Sequence, residues 1–358
     1  MESAKLKNIM NNYLSMKFKI LSFMAIVMVV YIHMYYTEGQ LYFRLGVIEH
    51  LIGQKICSIA VPMFYAISGY MFFFKMPDGL RSIKYKLKKR VFTLLIPYVL
   101  VNALTFLFYI FLNFIALKIS AIDNVVNFKV FDIIESGLYP TIRLVLWDPP
   151  IAFQLWFVRN LMLVMLFSPL IWFILTFTCR FKLFILEITL FLLLFYFSGN
   201  NYIQAFLWFM VGGYFAMDYK FLLPKSYSKI AGVSTFIITL ILIILPIKGL
   251  TEIWVIRMIP IFAIPAIWIL FDYFSFEKIM YKDSVNKICS YTFFIYLSHE
   301  PLLNIFKKVP LLISRSENTL IVSYITIPLV FILFTCLLGS FLKKNFNKFY
   351  AFYTGGRM

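Results

Sequence analysis

The 358-residue chain is 62% apolar and 14% charged, and Phe alone supplies 42 residues. Soluble domains run about 45–50% apolar and about 25% charged, so a soluble enzyme, a disordered chain and a secreted disulfide scaffold are excluded. The formal net charge of +18, from 34 Lys+Arg against 16 Asp+Glu, accompanies a mean hydropathy of +0.86. It therefore reads as membrane topology rather than nucleic-acid binding.

A bilayer-spanning helix takes about 20 residues. The apolar stretches are long and continuous rather than alternating, which excludes an outer-membrane barrel. The sequence predicts an all-α, polytopic transmembrane bundle, one domain over 1–358. Ten spans are expected, near 18–36, 55–74, 90–116, 152–178, 183–198, 202–217, 230–247, 253–271, 288–306 and 319–342.

The first stretch follows Lys5, Lys7, Lys17 and Lys19, as a signal peptide's would. No small-residue cleavage site comes after it, so it reads as a retained helix. The segment 75–90 then carries Lys75, Arg81, Lys84, Lys86, Lys88, Lys89 and Arg90 on one short loop. That loop is either a grip for a phosphorylated donor or an anchor beside anionic lipid. The longest connection is about 117–151. The fifth and sixth spans are parted only by Ser198-Gly199-Asn200-Asn201, and with the seventh and eighth they are the weakest. Loops on the N-terminal side hold more than twice as many Lys+Arg as the opposite loops, so both termini are expected in the cytoplasm and the chain in the inner membrane. Cys57, Cys179, Cys289 and Cys336 lie in or beside spans without CxxC spacing and read as packing residues.

An ionisable group inside a span is costly and marks a functional hypothesis. His33 lies in the outer half of the first span, His299 and Glu300 past the middle of the ninth, Arg159 about two turns into the fourth, and Arg257 near the outer end of the eighth. With the stated orientation they share one depth, which suits one polar cavity. Separate snorkelling is the bland reading. A neutral imidazole at His33 could act as a base or simply pack. In His299-Glu300-Pro301 the proline has no N–H, which frees the carbonyl of Leu297. Such a break lines a cavity or is an ordinary kink; Tyr296 shares the His299 face. Trp156 and Arg159 are three residues apart, a spacing expected to stack indole and guanidinium, and Trp254 and Arg257 repeat it. Arg159 could hold an anion or offset an oxyanion, whereas Arg257 reads as a belt residue. No P-loop, GxSxG elbow, HExxH or dinucleotide fingerprint occurs, and nothing suggests ATP or a metal.

Five segments in this order resemble the membrane acyltransferase type 3 family over most of the chain. They are the first span ending Val30-Tyr31-Ile32-His33; Val61-Pro62-Met63 running to Ser68-Gly69-Tyr70; Lys88-Lys89-Arg90 running to Ile96-Pro97-Tyr98; Leu155-Trp156-Phe157-Val158-Arg159-Asn160-Leu161; and Ser290-Tyr291-Thr292 running to Leu297-Ser298-His299. The resemblance implies transfer of an acyl group, usually acetyl, from cytoplasmic acyl-CoA to a hydroxyl of a cell-envelope or exported glycan. It assigns the family's essential histidine to His33, its basic third-span residue to Arg90, and its fourth-span pair to Trp156 and Arg159. Two positions depart from the pattern. Ser22 stands where an arginine precedes the histidine by eleven residues, with Lys19 nearly on the same face. Thr93 stands where a second third-span arginine is usual.

The expected mechanism is general-base transfer by His33, with Arg159 and His299 in the catalytic group. Trp156, Tyr296 and Glu300 would bind substrate, and Arg90, Lys89, Lys88 and Lys19 the CoA phosphates. A covalent acyl-His33 relay stands beside direct transfer. A carrier of lipid-linked sugars or small anions, or an inactive acyltransferase-like subunit, are the rival readings.

Overall fold

The computed structural model describes residues 2–36, 42–76, 79–116, 135, 137–147, 150–181, 183–217, 227–245, 250–274 and 282–357. Every regular element among them is a helix. The expected connection 117–151 lies largely outside the described residues.

Five helices are long and apolar enough to cross a membrane: Asn12–Ile32, Phe43–Phe73, Leu80–Ile115, Thr251–Tyr273 and Glu317–Asn345. A bent pair, Phe153–Leu166 and Ser168–Phe181, makes a sixth if it is one span. The remaining four expected stretches are also helical. Three are short: Phe184–Tyr196 has 13 residues, Asn201–Met217 has 17 and Lys229–Ile244 has 16. The fourth, Thr292–Ile313, loses helical geometry at Glu300. The chain is thus a multi-pass, all-helical membrane protein.

Two stretches differ from the sequence expectation. The stretch expected as the fourth span is not one straight helix: Phe153–Leu166 and Ser168–Phe181 meet at 61°. Pro169 explains this, since its ring and missing N–H disrupt the turn before it. The basic segment 75–90 is not a loop but mostly helix, Leu80–Arg90, running through a π-helical turn, Val91–Leu95, into Ile96–Ala116. Within it Lys86 donates to the carbonyls of Phe72 and Phe74, both at 2.6 Å. It thereby caps the end of Ala60–Phe73, so this one of the seven charges is committed to structure.

We label Glu2–Ile32 α1, Ala60–Phe73 α2, Asn201–Met217 α3, Leu250–Tyr273 α4, Thr292–Ile313 α5 and Glu317–Asn345 α6. α1 packs against α2, α5 and α6, and Ala25, Ile26 and Val30 are wholly buried. α2 and α3 pack backbone against backbone. A Cβ on Gly69 would collide with the Phe209 carbonyl, and one on Gly212 with the Ala66 carbonyl. Without a hydrophobic drive between helices in lipid, such small-residue contacts are what bring backbones together. At the N-terminal half of α1, Lys17 is buried and pairs with Asp272 of α4 at 2.6 Å. Its ammonium also lies 3.6 Å over the Trp268 ring and donates to the Trp268 carbonyl.

Candidate active site

α1 ends at Ile32, so the last carbonyls of its final turn need donors from elsewhere. Lys307 of α5 supplies one, donating to the His33 carbonyl at 3.1 Å. The same ammonium lies 4.5 Å over the Tyr35 ring. His33 is thereby fixed at a helix end, with its ring only partly covered.

The break in α5 brings its polar groups to this ring. Glu300 adopts φ −110° and ψ 136°, which is extended backbone inside an otherwise helical run. The freed Leu297 carbonyl expected from Pro301 is met by Gln154, whose Nε2 donates to it at 3.1 Å and to the Glu300 carbonyl at 2.8 Å. In return Tyr296 donates its hydroxyl to the Gln154 carbonyl at 2.6 Å. The two broken segments, 153–155 and 297–300, therefore satisfy each other's backbones. That reciprocity leaves the non-helical chain with its carbonyls paired inside the bundle.

The Glu300 carboxylate then stands with Oε1 4.0 Å from His33 Nδ1, and Asn304 donates to its Oε2 at 2.5 Å. The His299 ring lies 5.1 Å from that of His33, centre to centre. His299 Nδ1 is 2.7 Å from the Tyr296 carbonyl. A carbonyl can only accept, so Nδ1 carries the proton and Nε2 is an acceptor. That Nε2 is buried with no partner among the described residues, as is Gln154 Oε1.

His33 lines two cavities, together with Phe153 and Gln154. One, of about 240 Å³, is walled by Tyr35, Thr105, Tyr109, Glu300, Asn304 and Lys307. The other, of about 370 Å³, is more apolar and reaches Val61, Phe64, Trp156, Arg159, Tyr296 and His299. His33, Phe153 and Gln154 form the partition between them.

The structure thus gathers His33, Arg159, His299, Trp156, Tyr296 and Glu300 around adjoining cavities that share His33, Phe153 and Gln154 in their lining. Arg257 lies outside both, stacked 4.9 Å over Trp254 and against Gly199. The expected Trp156–Arg159 stack does not form. The Arg159 guanidinium donates to the Trp147 carbonyl and to Asn160 Oδ1, and faces the rings of Tyr202 at 5.3 Å and Trp147 at 6.0 Å. Helical spacing allows a pair, but here groups brought in by neighbouring segments take the guanidinium. Lys19 is exposed and donates to Asn286. Lys88 and Lys89 are exposed on their helix, and Arg90 is half-buried.

The sequence reading missed Gln154, Asn304 and Lys307. Glu300, Asn304 and Lys307 follow a spacing of four and three residues, which places them on one helix face and was open to detection. A family model described as an acyltransferase domain matches residues 19–343. No curated protein and no solved structure matches the chain.

Proposed function

The chain belongs to the membrane acyltransferase type 3 family, and from that premise we propose an O-acyltransferase. It moves an acyl group, acetyl in the simplest case, from cytoplasmic acyl-CoA to a hydroxyl of a cell-envelope glycan. The observation that carries this reading is the position of His33 as the wall between two cavities, with a carboxylate beside Nδ1. The more apolar cavity suits the thioester end of the donor. The smaller one, lined by Glu300, Asn304 and Lys307, suits a polyhydroxyl acceptor.

With its proton on Nδ1 and turned toward Glu300, His33 presents Nε2 as a base. Nε2 takes the proton of the acceptor hydroxyl as that oxygen attacks the thioester carbonyl. The tetrahedral oxyanion collapses by expelling the CoA thiolate, which takes the proton back from His33. The products are the ester and free CoA, and no proton is left over. Arg159, facing the same cavity as His33, offsets charge on the oxyanion. Trp156 and Tyr296 wall the donor, and His299 Nε2 accepts from a substrate group. Ten crossings of the inner membrane with both termini cytoplasmic complete the proposal. The Lys/Arg distribution supports it, and Lys88, Lys89 and Arg90 then stand at the inner mouth.

CoA release from acetyl-CoA by protein in liposomes, with crude envelope glycan as acceptor, tests the reading. His33→Ala is expected to lose roughly 10²–10⁴-fold, the usual share of a general base. Equal release from both proteins removes His33 from the chemistry. Solute flux through the vesicles without thioester cleavage replaces the enzyme by a carrier.

A further inference from the structure

Pro97 has no N–H and so cannot donate to the carbonyl of Thr93, four residues earlier, where a π-helical turn runs into an α-helix. The donor comes from the other end of the chain. Arg357 donates from Nη1 to the Thr93 carbonyl at 2.8 Å and to its neighbour Thr354 at the same distance. Its guanidinium lies 3.7 Å over the Phe293 ring. The turn that delivers it is specific. Gly355 and Gly356 take positive φ of 65° and 79° after the helix Asn347–Tyr353, and the Gly355 backbone presses on Thr93 so closely that a Cβ there would meet the Thr93 carbonyl at 2.7 Å. A guanidinium thus stands at position 93, although residue 93 carries none.

Arg90 is one helical turn before Thr93, about 5 Å along the axis. It forms no hydrogen bond or ion pair among the described residues, and no described carboxylate lies in salt-bridge range of either arginine. Arg357 still has Nε and Nη2 to offer, since its bonds to Thr93 and Thr354 both use Nη1. Thr93 Oγ1 is buried without a partner among the described residues. Burial and the like charge of Arg90 push the Arg357 guanidinium down to about 10. Two cations held together without an acid between them are stabilised by an anion, and a fork of guanidinium donors fits phosphate geometry.

We infer that Arg90 and Arg357 form a two-arginine seat for a phosphate of the CoA donor, residue 357 supplying the second guanidinium from the C-terminal turn. The identity of the phosphate as CoA's rests on the acyltransferase reading above. Thr105 and Tyr109, on the cavity beside His33, lie 15 or more residues further along the same helical run, about 22 Å from Arg90. A long, thin pantetheine arm is suited to bridge that separation.

The test is CoA binding by the full chain in phosphatidylcholine nanodiscs, for wild type, Arg357→Gln, Arg90→Gln and the double variant. Each single change is expected to weaken binding on the order of ten- to hundredfold, with the double variant less than additive because the two arginines share one ligand. Arg90 makes no hydrogen bond or ion pair among the described residues, so Arg90→Gln serves if Arg357→Gln fails to fold. An affinity unchanged within twofold, even with lower thermal stability, makes Arg357 a pin on the Thr93 carbonyl and overturns the proposal. Arginine-dependent affinity for phosphatidylglycerol without any for CoA overturns it too. If wild type ignores CoA, inorganic pyrophosphate separates the two ideas. Binding lost in both single variants keeps the phosphate seat while the donor reading falls, and no binding ends both.

Discussion

Nδ1 of His33 and Oε1 of Glu300 lie 4.0 Å apart, although 267 residues of chain separate them. The carboxylate is itself held by Asn304. A carboxylate at this distance is beyond direct hydrogen-bonding range, but its charge favours a proton on the near nitrogen, Nδ1, and under the proposed function this is the part it plays. On that reading Glu300 positions His33 in addition to lining the acceptor cavity. Glu300→Gln is expected to lower the turnover of acetyl-CoA by up to the roughly 10²–10⁴-fold of general-base catalysis. KM and thermal stability should stay put. In wild type the rate should fall on acidification, because a protonated His33 cannot accept the hydroxyl proton. A matching change in KM would show that Glu300 binds substrate instead.

Gln154 carries the second prediction. One amide satisfies two carbonyls of the α5 break, and its own carbonyl receives the Tyr296 hydroxyl. Gln154→Ala removes both side-chain bonds and leaves two buried acceptors bare, at a cost of about 1–3 kcal/mol for each such group. The expected result is a lower unfolding temperature in detergent and a loss of activity together. An unchanged unfolding temperature would mean that water replaces the amide.

The helical, membrane-crossing character was legible because hydropathy is a local property, although five or six of the ten expected stretches are long and apolar enough to cross; the freed Leu297 carbonyl, which follows from Pro301 alone, was legible too. What filled that carbonyl was not legible, since Gln154 comes from a segment over a hundred residues away. Arg159 shows the same limit: its i−3 tryptophan was visible, but Trp147 and Tyr202 reach the guanidinium from outside its helix. The clustering of His33, His299 and Glu300 rested on depth alone and came out as two chambers, because depth does not report how side chains partition a space. Thr93 read as a missing charge. Only the fold reveals that Arg357 stands there.

The contact between α2 and α3 predicts a sharp intolerance at Gly212. A Cβ there meets the backbone of Ala66 and Tyr70 rather than a flexible side-chain end, so relief requires the helices to part. Gly212→Ala should cost about 1–3 kcal/mol or more, as overpacking does. The readout is loss of monodisperse protein on extraction and a lower unfolding temperature. Wild-type behaviour would mean that the two helices separate freely.

Lys17 and Asp272 join α1 to α4 in surroundings that leave the two side chains 1% and 6% exposed. The ammonium also donates to the Trp268 carbonyl and sits over that ring, while Tyr13 donates to the same carboxylate. Removing one partner of a buried pair leaves the other charge uncompensated, at about 3–5 kcal/mol. Lys17→Met should therefore destabilise strongly. Lys17→Met with Asp272→Leu should recover much of the loss, because the desolvation cost of both charges goes with them. Since α1 leads from Lys17 at its middle to His33 just past its C-terminal turn, the single variant should also lose acyl transfer, and the double variant should regain it in step with stability. Recovery of stability without recovery of transfer would give this ion pair a role in catalysis beyond anchoring the helix that bears the base.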